Sequence, residues 1–467
     1  MNLMGRIDKM KDDIIKKTSD LVEFRSIKSD ALENAPFGVE IRHSLDYTLN
    51  LCKELGFKTK DIDGYAGHVE YGEGDELIGI LVHLDVVPEG NGWTYDPFSL
   101  TLDNGRLYGR GVNDDKGGVI ASIYALKAVM DSGLKMNKRF RIILGCDEES
   151  GWECMSHYFA VEEMPSCGFS PDGPFPIVNR EKGILRVQID ENFSDIPKNQ
   201  VKIINLKGGQ RANMVPEICE CNLEIGTADI DKFIERLDIL SKRLNIDFEI
   251  KKDSALINLI TRGRSAHGSE PELGENAAMK MLTLLSNIEE MNTSQQRFIK
   301  FIVNNIGFET EGETLGIDLC DEESGKLTLN TGIVEMTDKT ANVILDIRYP
   351  VSFKGGDIFD SISKKASLYN IVTRKIEDKT PLYVPKENQL IERLSTAYNQ
   401  VTGEEPTLIA LKGGTYARAI KNAVAFGPIM PGKEDTAHQK DEYLELEDLI
   451  MSTKIYAQAI VELNKNY

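Results

Sequence analysis

Apolar runs long enough to cross a bilayer are missing from these 467 residues; each is interrupted well short of the ~20 residues a spanning helix needs. A surplus of positive charge is missing too. With 55 Lys and Arg against 75 Asp and Glu the formal charge is -20, so the field of the whole molecule opposes polyanions and no nucleic acid partner is expected. The start, MNLMGRIDKMKDDIIKK, mixes both charges and has no apolar core of a secretory signal. A cytoplasmic protein without membrane association is therefore expected. No CxxC pair occurs among the seven cysteines, at positions 52, 146, 154, 167, 219, 221 and 320. The CEC at 219 to 221 is too tight for a zinc knuckle and lies in an alternating stretch, so free thiols in a reducing compartment are expected. There is no internal repeat and no low-complexity segment.

What is present is a regular alternation of helix and strand patterns. At about 150 residues per domain the length allows roughly two or three domains. From about residue 5 to 180, KMKDDIIKKTSDLVEF and EIRHSLDYTLNLCKELGF read as amphipathic helices. ELIGILVHLD reads as a buried strand, GGVIASIYALKAVMDSG as a helix and RFRIILGCDEE as another strand. This ordering predicts an α/β domain with a mostly parallel central sheet flanked by helices. From about 183 to 380 the texture changes to strands such as GILRVQID, CNLEIGT and TANVILDIRYP, with helices at about 230 to 244 and 274 to 291, which predicts an inserted α+β domain. After about 383 the first pattern returns. The expected boundaries are 1–182 with 383–467 for the first domain and 183–382 for the insertion.

In open α/β sheets ligands gather at the carboxyl ends of strands, and the informative polar residues fall there. LVHLDVVPEG ends a strand with His83 and Asp85. GRGVNDDKGG sets Asp114 and Asp115 in a glycine-rich turn that opens a helix. GCDEESG ends the next strand with Glu148 and Glu149, SPDGPFP puts Asp172 on a proline-bounded turn, and EDTAHQKDEY puts His438 before the final helix. Taken singly each has an ordinary explanation: a structural histidine, turn chemistry, a solvated acidic face. Together they gather two imidazoles and several carboxylates at strand ends, where uncompensated acids are costly and bound cations would balance them. A nitrogen and oxygen set without thiolates suits zinc, manganese or cobalt.

The motifs HLDVVPEG, GWTYDPF, GRGVNDDKGG, DEESG, SPDG, GRSAHGSEPELGENA and GGTYAR, in this order from about 60 to 445, resemble those of dipeptidase V-type enzymes. These belong to the aminoacylase, carnosinase and carboxypeptidase G superfamily of two-metal peptidases (clan MH). The resemblance implies a catalytic domain interrupted by a lid. It implies two divalent ions, zinc first and manganese or cobalt as alternatives, one held by His83 and Asp172, the other by Glu149 and His438, with Asp114 bridging. Asp85 would orient His83, as metal-binding histidines require. Glu148 would act as base toward a water shared by both metals and then pass its proton to the leaving amine. His267, in the lid, would meet the negative charge developing on the carbonyl oxygen.

By the same resemblance Arg348 and Asn213 would grip the substrate's carboxylate and carbonyl oxygen. Gly413 and Gly414 would offer backbone N–H groups at a helix start, where an anion is favoured. The resembled pattern has three glycines before TYAR; here Lys412 stands first, which bears on specificity rather than reaction. Of the other histidines, His43 is expected at the surface of a helix, His68 in a strand, and His157 in core packing or behind the metals. The expected function is hydrolysis of small unblocked dipeptides by a chain that can act as a monomer. An N-acyl amino acid deacylase of the same superfamily is the alternative, and a non-catalytic binding protein a third.

Overall fold

The computed structural model describes residues 2–193, 201–226, 230–253, 256–288, 291 and 293–466. It divides into two compact units, Met1–Arg180 with Leu382–Tyr467, and Glu181–Pro381.

The first unit is built on a nine-stranded sheet. Its centre is parallel: Arg139–Gly145, Leu77–His83, Cys167–Ser170 and Ala423–Ala425 lie side by side in that order. The flanks are antiparallel, with Ala66–Gly72 and Lys58–Ile62 on one side and Ile177–Glu181 on the other. Every residue of Leu77–His83 is buried, the pattern of a strand covered on both faces. Helices Leu3–Val22, Lys116–Ser132 and Leu446–Leu463 pack on one another, and Gln389–Thr402 packs on the last of them. The C-terminal segment thus completes the N-terminal sheet and shares its hydrophobic core, which runs from Ile7 to Leu463.

The second unit is an eight-stranded sheet in the order Glu249–Asp253, Leu256–Arg262, Ile218–Glu224, Lys202–Gly208, Thr328–Thr337, Thr340–Tyr349, Gly183–Asn192, Val372–Lys379. All its pairings are antiparallel. Alternate residues such as Leu185, Val187 and Ile189 are buried in a core shared with helices Ile230–Leu244, Ala277–Ser286, Thr293–Asn305 and Gly355–Ser367. Cys219 and Cys221 both point into it, and all seven cysteines are free. The single helix expected at 274 to 291 ends at Ser286, and a separate helix, Thr293–Asn305, comes after it. Among the described residues no helix is long and apolar enough to cross a membrane.

Candidate metal centre

The parallel strands of the first unit end in register, His83 opposite Gly145, so the segments beyond them emerge side by side. The imidazole of His83 is buried. Its Nδ1 lies 2.9 Å from the main-chain oxygen of Asp85, which can only accept, so Nδ1 carries a proton and Nε2 is turned toward Asp114 Oδ1 at 2.8 Å. The second oxygen of Asp114 lies 3.1 Å from Nε2 of His438, which is also 3.0 Å from Glu149 Oε1. One carboxylate therefore faces two imidazoles, one with each oxygen. His83, Asp114 and Asp172 offer ligand atoms all within 4.8 Å of one another, and so do Asp114, Glu149 and His438.

Asp85 touches His83 through its carbonyl; its carboxylate is 3.7 Å from Nδ1 and does something else. Oδ1 and Oδ2 accept the backbone N–H groups of Glu148 and Glu149 at 3.1 and 3.0 Å. The strand itself stops at Gly145, so the paired glutamates stand on a turn rather than at a strand end. Asp147 holds the same turn: buried, it accepts from Lys28 Nζ at 2.7 Å and from the N–H of Glu153 at 3.0 Å. Asp115 is fully buried behind His83 and accepts its backbone N–H at 3.3 Å. The glycines of NDDKGG permit this: a Cβ on Gly118 would stand 1.9 Å from Asp115 Oδ1.

The electrostatics are those of an acid-rich cluster. Burial and the neighbouring acids push Glu148 and Asp172 well above the usual carboxylate range, and burial with Asp114 raises Glu149. Burial works the same way on Asp114, but hydrogen bonds from His438 and His83 outweigh it and hold this carboxyl far down. Desolvation lowers His438, while Asp114 and Glu149 raise it by more, to about 11. Carboxylates at this density, with imidazole nitrogens aimed among them and no thiolate, fit divalent cations of the zinc, manganese or cobalt kind.

In the second unit, Asn213 and His267 lie on adjoining loops. Met214 bridges to His267, and Gly268 N–H donates to the Asn213 carbonyl at 2.7 Å. Asn330 Nδ2 clamps the first loop on both sides of Asn213, donating to the carbonyls of Ala212 at 2.8 Å and Met214 at 3.0 Å. His267 Nδ1 accepts the N–H of Ser269 at 3.2 Å, which leaves Nε2 as the protonated, donating nitrogen. Arg348 is buried on its strand, its guanidinium forked onto Asp346 at 2.7 and 3.3 Å.

Two further expectations are corrected. Gly413 and Gly414 do not open an α-helix. The chain beyond them makes one 3-10 turn, Tyr416–Ala419, too short to carry much macrodipole, and the Gly413 carbonyl accepts from Arg418. His157 is neither in the core nor behind the metal cluster; it stacks on Tyr65 and pairs with Asp63 at 3.0 Å near the surface. His43 is exposed on its helix beside Glu40, and His68 is buried in a strand against Tyr158.

Some supporting residues escape sequence reasoning. Tyr416 packs edge-on against the His83 ring, and its hydroxyl accepts the Asp147 N–H at 3.4 Å. Glu442 is buried with four donors on its carboxylate. In a run such as HQKDEY an acid reads as solvated, and its only signal is its place four residues after His438.

Residues 79–462 match the sequence profile of peptidase family M20/M25/M40. The chain belongs to this family. A Bacillus subtilis (strain 168) protein named "Putative dipeptidase YtjP" is 40% identical over 100% of both chains. Among solved structures of the same fold, the dipeptidase Dug1p of Saccharomyces cerevisiae aligns with a TM-score of 0.59 at 14% identity, over 99% of this chain and 98% of that one. The YXEP protein of Bacillus subtilis, described as a dinuclear metal binding peptidase from the M20 family, aligns with a TM-score of 0.51 at 12% identity, over 98% and 99%.

Proposed function

We propose that this chain is a metal-dependent dipeptidase that hydrolyses small unblocked dipeptides. The observation that carries the reading is Asp114, whose two oxygens face His83 and His438, each within a separate ligand cluster. Family membership and the full-length relative named as a dipeptidase support it. His83 and Asp172 would hold one ion, Glu149 and His438 the other, and Asp114 both, with zinc, manganese or cobalt as the candidates. Such ions, when bound, acidify water and polarise a carbonyl oxygen.

The chain's own residues supply the rest. Glu148, raised in pKa by burial and by the acids around it, takes the proton of the attacking water and returns it to the leaving amine. His267 Nε2–H donates to the oxygen on which negative charge develops. Asn213 and Arg348 bind the substrate's carbonyl and carboxylate, with backbone N–H groups near Gly413 and Gly414 assisting. Cytoplasmic residence is part of the same reading, in keeping with seven free thiols.

The test is matched hydrolysis of a free dipeptide and its N-acetyl derivative with zinc or manganese, alongside a chelator control. Chelator-sensitive cleavage of the free dipeptide alone is the expected result. Preference for the acetylated compound would reassign the chain as a deacylase, and cleavage of neither would end the dipeptidase reading.

A further inference from the structure

We infer that Glu442 is a positioning residue for the metal centre, fixing Asp114 relative to His438 through the backbone of residues 110 to 114. The inference rests on the reading of Asp114 and His438 as metal ligands. The Glu442 side chain is 1% exposed. Oε2 accepts from Arg110 Nη1 at 2.6 Å and from the Gly111 N–H at 3.0 Å; Oε1 accepts from the N–H groups of Asn113 and Asp114 at 2.9 and 3.2 Å. A buried carboxylate needs that many donors to offset its lost hydration. Arg110 alone would make an ordinary ion pair. The other three donors are backbone groups of one short segment, and the last belongs to Asp114 itself.

The same contacts join two stretches more than 300 residues apart in sequence. Glu442 returns a further bond, its own carbonyl accepting the Gly109 N–H at 3.0 Å. On the far side of His438, Asp435 Oδ1 accepts from Asn113 Nδ2 at 3.2 Å and from the Ala437 N–H at 3.0 Å. Thr436 and Tyr443 close the intervening loop: the Thr436 hydroxyl donates to the Tyr443 carbonyl at 2.9 Å and accepts its N–H at 3.1 Å. The loop bearing His438 is thus pinned at both ends, and Glu442 and Asp435 tie those ends to the segment that ends in Asp114. Since Asp114 must present one oxygen to each imidazole, a shift of its backbone by about 1 Å would spoil one of the two ligand clusters.

The experiment compares full-length wild type, E442Q, D114N and E462Q for binding of Mn²⁺ and Zn²⁺ by equilibrium dialysis with elemental analysis, alongside thermal unfolding without metal. Glutamine keeps the shape but replaces one acceptor oxygen with an amide that opposes two donors. E442Q is expected to lose about 10–100-fold in affinity for at least one ion. Excess metal should restore kcat, with KM for a dipeptide unchanged. Glu462, a buried carboxylate bonded to Lys465 and Gln458 on the last helix, is the control for burial alone: E462Q should lower the melting temperature and leave metal affinity as it was. Wild-type affinity in E442Q while D114N loses metal would overturn this inference alone. Failure of wild type to bind two ions, or two ions bound normally by D114N, would overturn the underlying reading and this inference with it. If E442Q does not fold, E442D takes its place; its oxygens withdraw by about 1.5 Å, and unchanged metal affinity there would overturn the inference equally.

Discussion

One oxygen of the Asp85 carboxylate receives the backbone N–H of Glu149 at 3.0 Å, while its partner oxygen receives that of Glu148. A single buried acid thereby sets the direction of a proposed ligand and of the proposed base. Asp85→Ala is expected to lower kcat/KM by about 10–100-fold, as removal of outer-shell partners does in metal enzymes, and to weaken metal binding in parallel. Asp85→Asn keeps one acceptor and should fall between. Steady-state kinetics with metal analysis of the purified variants checks this; a full-activity Asp85→Ala would mean the turn holds without its clamp.

Glu148→Gln should reduce turnover by about 10²–10⁴-fold while two ions still bind, because its loss removes proton transfer and no proposed ligand. Retention of most activity would remove Glu148 as the base.

His267→Ala should lower kcat by about 10²–10³-fold with a smaller change in KM, since the Nε2–H is assigned to charge that exists only in the transition state. A pure KM effect would contradict that role.

Metal binding should strengthen as pH rises. In the metal-free chain Asp114 and Glu149 hold His438 protonated up to about 11, above its unfolded value of about 6.5. The stabilisation this imidazolium gives is complete below about pH 6.5 and is lost as pH climbs through the folded value. An ion must displace that proton to reach Nε2, so apparent affinity measured in chelator buffers should increase from about pH 6 to pH 8, and added Mn²⁺ should raise the melting temperature more at the higher pH. A flat profile would mean that no proton leaves on binding.

Gly118→Ala should destabilise the first unit by about 1–3 kcal/mol, because the new Cβ would press on Asp115 Oδ1 inside a closed core. Denaturant unfolding reads the cost directly, and an unchanged midpoint would show that Asp115 can move aside.

The parallel strands and long helices of the first unit were legible because Leu77–His83 and Arg139–Gly145 are mostly apolar and Leu446–Leu463 is a long segment with apolar residues on every turn and no glycine or proline. The helix Thr293–Asn305 was not: TSQQRFIKFIVNN begins polar, and Gln295 is buried as a hydrogen-bonding group, which a hydropathy pattern cannot register. Motif order named His83, Asp114, Glu149, Asp172 and His438, and their side chains fall into two clusters that share Asp114; that they hold metal is the proposal. Of the groups that hold them in place, Asp85 was named, as the partner of His83, while Asp147 and Glu442 were hidden. Asp85, Asp147 and Glu442 act by accepting backbone N–H groups, and which N–H groups an acid meets depends on how the loops fold. The turn at GGTYAR was expected to open a helix only by resemblance, but the chain leaves its short 3-10 turn after four residues for the strand Ala423–Ala425.

That strand has a consequence for biosynthesis. Ala423–Ala425 lies directly beside Cys167–Ser170, yet the ribosome makes it roughly 250 residues later, about 10–50 s at usual elongation rates of about 5–20 residues per second. Until then the nascent first unit has an unpaired edge in the middle of what will be its sheet, and lacks His438. The inserted segment emerges in the interval with a complete sheet of its own to form. The order of synthesis therefore keeps the proposed metal cluster incomplete until His438 emerges, and a chain interrupted before residue 423 would contain four of the five proposed ligands and an open β-edge.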